Sequence, residues 1–116
     1  MSVDRVADYL DHILEALDLA TAYVEGMDRQ RFMDDRRTQQ AVMLNVIILG
    51  EAAAKIVQSY PDFVDAHPDI PWRQMRGMRN RVAHGYFDID LDIVWNTVQS
   101  AFPELREQVQ AAKRDT

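Results

Sequence analysis

The chain has 116 residues, of which 47% are apolar and 28% charged, with a net charge of -6 and no cysteine. That length suits one domain, spanning residues 1–116, and the composition excludes disordered, collagen-like and low-complexity classes. Absent thiols exclude disulfides, thiolate metal sites and a catalytic cysteine, and the acidic balance leaves nucleic acid only a local basic patch to meet.

The first eight residues, Met1 to Asp8, are acidic and amphipathic where a secretion signal needs a basic start and an unbroken apolar run. The longest apolar stretch, Val46 to Leu49 resumed at Ala52 to Ala54, contains Glu51 and falls far short of the ~20 residues of a membrane span. A soluble, cytoplasmic protein is expected. Val6, Leu10, Ile13, Leu14 and Leu17 recur at spacings of three and four, which predicts a first amphipathic helix from about Val3 to Tyr23, with Ser2 as N-cap and an end by Gly26. Asp28 to Asp35 is polar apart from Phe32 and Met33, and reads as a short helix or ordered loop.

A second long helix is predicted from about Arg36 to Tyr60, capped by Asp34 or Asp35 and bounded by Pro61. Ala41, Val42, Leu44, Ile48, Leu49, Ala52, Ile56 and Val57 cover more than one stripe of it, so it should be central and contacted on several sides. The small residues Gly50 and Ala52 to Ala54 suit either a closely packed neighbouring helix or a dimer seam. Three prolines between Pro61 and Pro71 leave room for a turn or two of helix at most. Pro71 then suits the first position of a third helix, continued by Trp72, Met75, Arg79 and Val82 and stopped by Gly85. Asp88 or Asp90 can cap a final helix with Leu91, Val94, Trp95, Val98, Phe102, Leu105 and Val109 on its apolar side and a kink or break at Pro103. No alternating run suggests a strand, so the expected class is all-α, an antiparallel bundle of about four main helices.

The stretch Arg79-Asn80-Arg81-Val82-Ala83-His84-Gly85-Tyr86 places an arginine, a carboxamide, an imidazole and a phenol within two helical turns. Arginine offers a planar fork of donors to phosphate oxygens, and histidine can donate or accept a proton near neutrality, neither needing a metal. With RNA, a base beside a ribose 2′-OH lets that oxygen attack the adjacent phosphorus, an acid protonates the leaving 5′-oxygen, and a cation holds the developing charge. His84 fits base or acid, Arg79 the cation, and Asn80 can orient the imidazole or hold a phosphate oxygen. Arg73, Arg76 and Arg81 complete a basic patch suited to RNA. On one helix, however, residues 79 and 84 point roughly 140° apart at ~100° per residue. They can meet if the helix unwinds at Gly85, or if a second subunit brings its own pair across a two-fold axis. Glu51 is either an exposed partner of Lys55 or a carboxylate facing the motif helix that orients Arg79 or His84. His12 and His67 carry no metal assignment, and Asp88, Asp90 and Asp92 lack the glycine and terminal glutamate of a calcium loop, so no metal or cofactor is expected.

Arg79-Asn80 with His84 and Tyr86, preceded by Ile48-Leu49-Gly50-Glu51-Ala52, Ile70-Pro71-Trp72 and Gly77-Met78 and followed by Val94-Trp95, resembles the HepT-like branch of the HEPN superfamily over most of the chain. The resemblance implies a homodimeric, metal-independent ribonuclease acting as the toxin of a prokaryotic toxin-antitoxin pair, with an MNT-domain nucleotidyltransferase as antitoxin. It carries the catalytic pair onto Arg79 and His84 and makes Tyr86 the acceptor of nucleotidyl groups. Such groups would put bulk and negative charge beside the catalytic pair and oppose an anionic substrate. The competing expectation is a HEPN module without turnover that binds a nucleotide or the nucleotidyltransferase.

Overall fold

The computed structural model describes residues 2–116, with side chains from Arg5 onward; the expected Ser2 cap lies outside the described side chains. Among the described residues the secondary structure is entirely helical. Helix α1 (Ser2–Tyr23) buries the predicted stripe, with Leu10 and Ile13 fully enclosed. Val24 closes it off, and Gly26, at φ 79, turns the chain in the left-handed region that favours glycine. The polar segment beyond forms the short helix α2 (Arg29–Met33), capped by the Asp28 carboxylate on the Arg31 N–H and anchored by buried Phe32.

Helix α3 (Arg36–Ser59) begins where Asp35 accepts from the Thr38 N–H at 3.1 Å. Its polar residue Gln39 is buried for a structural reason: Nε2 donates to the Phe32 and Met33 carbonyls at 2.8 and 2.9 Å, satisfying the end of α2. Val42, Val46, Leu49, Ala53 and Ile56 are buried, so α3 is central as expected. It is not covered on all sides, because Leu44 and Ile48 are 57% and 39% exposed.

Pro61 opens the six-residue helix α4 (Pro61–Ala66), whose first turn has no need of the missing N–H. Pro71 sits one place earlier than the sequence suggested, at the cap of α5 (Trp72–His84) rather than in its first turn. A 3₁₀ turn (Tyr86–Asp88) follows, and Asp90 caps α6 (Leu91–Asn96) by accepting from the Asp92 N–H at 2.9 Å. The disturbance expected at Pro103 is a widening: Thr97–Ala101 is π-helical, and the Phe102 N–H reaches back to the Thr97 carbonyl before α7 (Phe102–Lys113) begins. Pro103 cannot donate to the Gln99 carbonyl and its ring would crowd it, so the wider turn accommodates the ring while Val94, Val98, Phe102, Leu105 and Val109 all stay in the core.

Ion pairs fix directions. Lys113 pairs with Asp11 and Arg106 with Asp18, so α7 runs antiparallel to α1; Arg29 with Asp92 ties α2 to α6. Asp90 and Asp92 are thus occupied by capping and by Arg29. His67, ahead of α5, joins distant parts of the chain. Its Nδ1 meets the Phe63 carbonyl at 2.9 Å and its Nε2 the Asp115 carboxylate at 2.8 Å. Both partners can only accept, so both ring nitrogens donate and the imidazolium is the form that fits. Burial pushes its pKa down, but the Asp115 bond, the Phe63 carbonyl and the charges of Asp115 and Asp69 outweigh burial and raise it above the usual value.

Candidate active site on helix α5

Trp72, Met75 and Val82 are buried and seat α5 against the core, with the Trp72 indole donating to the His67 carbonyl at 3.1 Å. At Gly50 α3 and α5 approach closely. A β-carbon there would lie 2.3 Å from Arg79 Cβ and 2.9 Å from the Met75 carbonyl oxygen. Of the two readings of the small-residue patch, Gly50 therefore serves a close helix contact within the chain. That contact is also what sets the base of the Arg79 side chain.

Arg79 lies against the next residue of α3. Its Nη1 donates to Glu51 Oε1 at 2.6 Å and its Nε to Asn80 Oδ1 at 3.0 Å. The arginine side chain is 22% exposed and the glutamate 56%. Glu51 thus engages the motif helix, as the second sequence reading required, and Arg79 rather than Lys55 is its ion-pair partner. Among the described residues no hydrogen bond occupies Arg79 Nη2, and the Asn80 amide keeps its two N–H donors. A phosphate oxygen brought here meets donors already aimed by Glu51.

His84 closes the last turn of α5 and is exposed. The helix continues through it, with the Gly85 N–H bonded to the Arg81 carbonyl at 2.9 Å, so no unwinding swings the imidazole toward Arg79. Gly85 has a φ of -118°, and its requirement is close approach: a β-carbon there would stand 2.9 Å from the Arg81 carbonyl oxygen. Within one chain the structure gathers Arg79, Asn80 and Glu51, whereas the helical register turns His84 roughly 140° from Arg79 at ~100° per residue. His84 shares its face with Asn80, one turn earlier. Arg73 and Arg76 extend that face toward the start of α5, and Arg81 lies beside it; Arg73 and Arg81 are exposed and Arg76 half-buried. Arg73 and Arg81 also border a cleft of about 610 Å³ between α5 and the α6–α7 arm, whose lining includes Val46, Leu49, Asp69 and Glu104.

Tyr86 stands in the 3₁₀ turn, 40% exposed, and its Oη accepts from Gln40 Nε2 at 3.0 Å. Sequence reasoning missed Gln40. The signal lay in the register of α3, since residues 40 and 51 are eleven apart and therefore within ~20° on the helical wheel. One face of α3 holds both the arginine and the phenol.

The chain matches the family model described as "Ribonuclease HepT-like" over residues 13–112. It is 36% identical over 107 residues to a "Probable ribonuclease HepT" of Thermococcus cleftensis, covering 92% of this chain and 94% of the relative. A "Putative RNase" of Caldanaerobacter subterraneus subsp. tengcongensis is 31% identical over 102 residues, covering 88% of each. Another "Putative RNase", from Methanocaldococcus jannaschii, is 31% identical over 110 residues, with 95% of this chain and 98% of the relative covered. No solved structure gives a significant match. With the match running from within α1 to near the end of α7, the chain belongs to the ribonuclease HepT-like family of the HEPN superfamily.

Proposed function

We propose that the chain is a metal-independent RNA endonuclease, the toxin of a prokaryotic toxin-antitoxin pair, acting in the cytoplasm as a homodimer with Arg79 and His84 as its catalytic residues. The observation that carries this reading is the Arg79 guanidinium, held at Nη1 by Glu51 and at Nε by Asn80 with Nη2 left open among the described residues, on a helix that also carries His84. A base takes the proton of the ribose 2′-OH, and the freed oxygen attacks the adjacent phosphorus. The bond to the 5′-oxygen breaks, an acid protonates that oxygen, and a 2′,3′-cyclic phosphate is left. Two copies of His84 about a two-fold axis supply base and acid, and Arg79 holds the charge that develops on the phosphate oxygens. Such a dimer overcomes the divergence of the two side chains on one α5. Arg73, Arg76 and Arg81 bind the flanking RNA backbone through phosphate contacts.

Tyr86 is the proposed site of inactivation, through nucleotidyl groups added by an MNT-domain nucleotidyltransferase antitoxin. Its partial exposure, one short turn beyond His84, supports this role. The second reading, a module that binds nucleotide or transferase without turnover, draws on the same divergence of Arg79 and His84. Labelled RNA incubated with the purified protein and a chelator decides between them. Cleavage to cyclic-phosphate ends, lost by at least about 100-fold in His84→Ala and Arg79→Ala, is expected. Identical profiles for wild type and His84→Ala would remove the nuclease reading.

A further inference from the structure

The cleft between α5 and the α6–α7 arm lies away from the Arg79 contact with Glu51. Gln74, Met78 and Arg81 line it, roughly 100–160° round α5 from Arg79 at ~100° per residue. On the arm, Ile93, Thr97, Ala101 and Leu105 line it at four-residue intervals. Such an interval drifts by ~40° per step in a straight α-helix, and the extra residue of the π turn offsets that drift. The widening at Thr97–Ala101 therefore also builds one wall of the cleft, and π turns recur at functional sites. The volume of about 610 Å³ falls within the range of about 300–1,000 Å³ that holds small ligands.

Its lining joins apolar side chains to a few polar groups that the fold leaves unused. Ile93, a large apolar residue, is 42% exposed on the wall of the cleft. On α7, Arg106 is taken up by Asp18 and Gln110, whereas among the described residues no side-chain hydrogen bond or ion pair engages Glu104 or Gln108. None engages Arg81 on α5 either. Asp69, the other carboxylate in the lining, lies where its charge acts on His67.

We propose that this cleft is a subsite for one unstacked base of the RNA strand, guanine above the others, with the phosphate of that nucleotide on Arg81. The proposal rests on the nuclease reading above and gives it a sequence preference. A base is uncharged; its flat faces suit apolar side chains such as Met78 and Ile93, and its edge suits polar ones. Phosphate or an acidic peptide filling the same space would be repelled by Glu104. That carboxylate only accepts, and guanine is the base that sets two donors, N1–H and N2–H2, side by side. Gln108, one turn further along α7, can donate to the guanine O6. Arg81 precedes His84 by about 4.5 Å along the helix axis and roughly 60° round it, so a strand leaving the cleft over Arg81 comes onto the catalytic face.

The test sequences the ends released from RNA of random sequence by the purified protein with a chelator. Guanine should be enriched at least about tenfold at one fixed position beside the cut, and Glu104→Gln should remove most of that enrichment. Ala101→Phe, which fills the cleft from an exposed position, should abolish it; Glu104 is exposed too, and its variant decides if Ala101→Phe fails to fold. An even base distribution beside the cut, or a guanine enrichment that survives Glu104→Gln and every folded variant, overturns the subsite. A turnover-free arm uses His84→Ala and measures binding of labelled oligouridylates carrying one guanosine, one adenosine or one inosine, which lacks the N2 amino group. The guanosine strand should bind about tenfold tighter than the other two, a margin lost when Glu104→Gln is added; equal affinities overturn the subsite by themselves. Guanosine 5′-monophosphate competing as strongly as the oligonucleotide, with cleavage indifferent to sequence, would make the cleft a mononucleotide site and overturn it likewise. If wild type cuts no RNA while the guanosine margin holds and depends on Glu104, the nuclease reading fails and the base subsite stands.

Discussion

Gly50→Ala asks how finely the close contact of α3 with α5 sets the candidate site. The new methyl would stand 2.3 Å from Arg79 Cβ, 2.9 Å from the Met75 carbonyl oxygen and 3.1 Å from Arg79 Cγ, against 3.4 Å at the lower edge of ordinary contact. Neither a backbone carbonyl nor a β-carbon can rotate away, so α5 must retreat by about 1 Å at the point where Arg79 leaves it. Overpacking of that size costs about 1–3 kcal/mol, and replacing a mid-helix glycine by alanine returns about 1 kcal/mol of helix propensity. The net loss is roughly 0–2 kcal/mol, a melting point lowered by at most roughly 8 °C in a domain of this size. Chemistry should suffer more. Glu51 stays with α3 while Arg79 moves, and misplacement by about 1 Å can cost on the order of 100-fold in rate. The expected outcome is a folded protein whose RNA cleavage, measured as kcat/KM, falls on the order of 10- to 100-fold. Gly77 in α5 is the control. A β-carbon there meets nothing within 4 Å, so Gly77→Ala should stabilise by about 0.5–1 kcal/mol. Wild-type cleavage by Gly50→Ala, with a melting point unshifted or raised, would refute the argument that this contact sets Arg79.

Glu51→Gln should move the melting point little, since a pair this exposed contributes about 0–1 kcal/mol, yet lower RNA cleavage at least about tenfold by loosening Arg79; full activity would remove the orienting role of the carboxylate. Gln39→Leu should destabilise by about 1–3 kcal/mol in a denaturant titration, because it strips donors from the Phe32 and Met33 carbonyls. His67 has a raised folded pKa, so its contribution to stability is fully present below its unfolded value near 6.5 and is lost as pH rises through the folded value. Melting curves taken across that window should lose this slope in Asp115→Asn, and an unchanged slope would locate the pH dependence elsewhere.

The helices that bury a continuous stripe were legible from spacing alone. Val6, Leu10, Ile13 and Leu17 in α1, and Val94 to Val109 in the last arm, are enclosed as their register required. Caps were legible where an aspartate precedes the stripe, as at Asp35 and Asp90. What escaped depends on partners distant in the chain. His67 was unremarkable until Asp115, 48 residues away, supplied its second acceptor. Gln40 carries no charge and breaks no pattern, so only its contact with Tyr86 marks it. Leu44 and Ile48 belong by spacing to an enclosed helix, but among the described residues no neighbouring helix encloses them, which periodicity alone does not reveal. The motif itself was legible by residue type and order; that Glu51 meets Arg79 instead of Lys55 required the fold.

The shared face of α3 has a consequence for error. Its contacts with Arg79 and Tyr86 stand eleven residues apart, about 16 Å along a single helix axis. Both groups are referenced to one datum. A slide of α3 against α5 shifts Gln40 and Glu51 by the same amount and disturbs both contacts at once, whereas a change in the short segment from His84 to Tyr86 moves the phenol and leaves the arginine's contact with Glu51 in place. Substitutions that displace α3 should therefore loosen the arginine and the phenol together, and those in the three residues that join the end of α5 to the phenol should loosen the phenol alone.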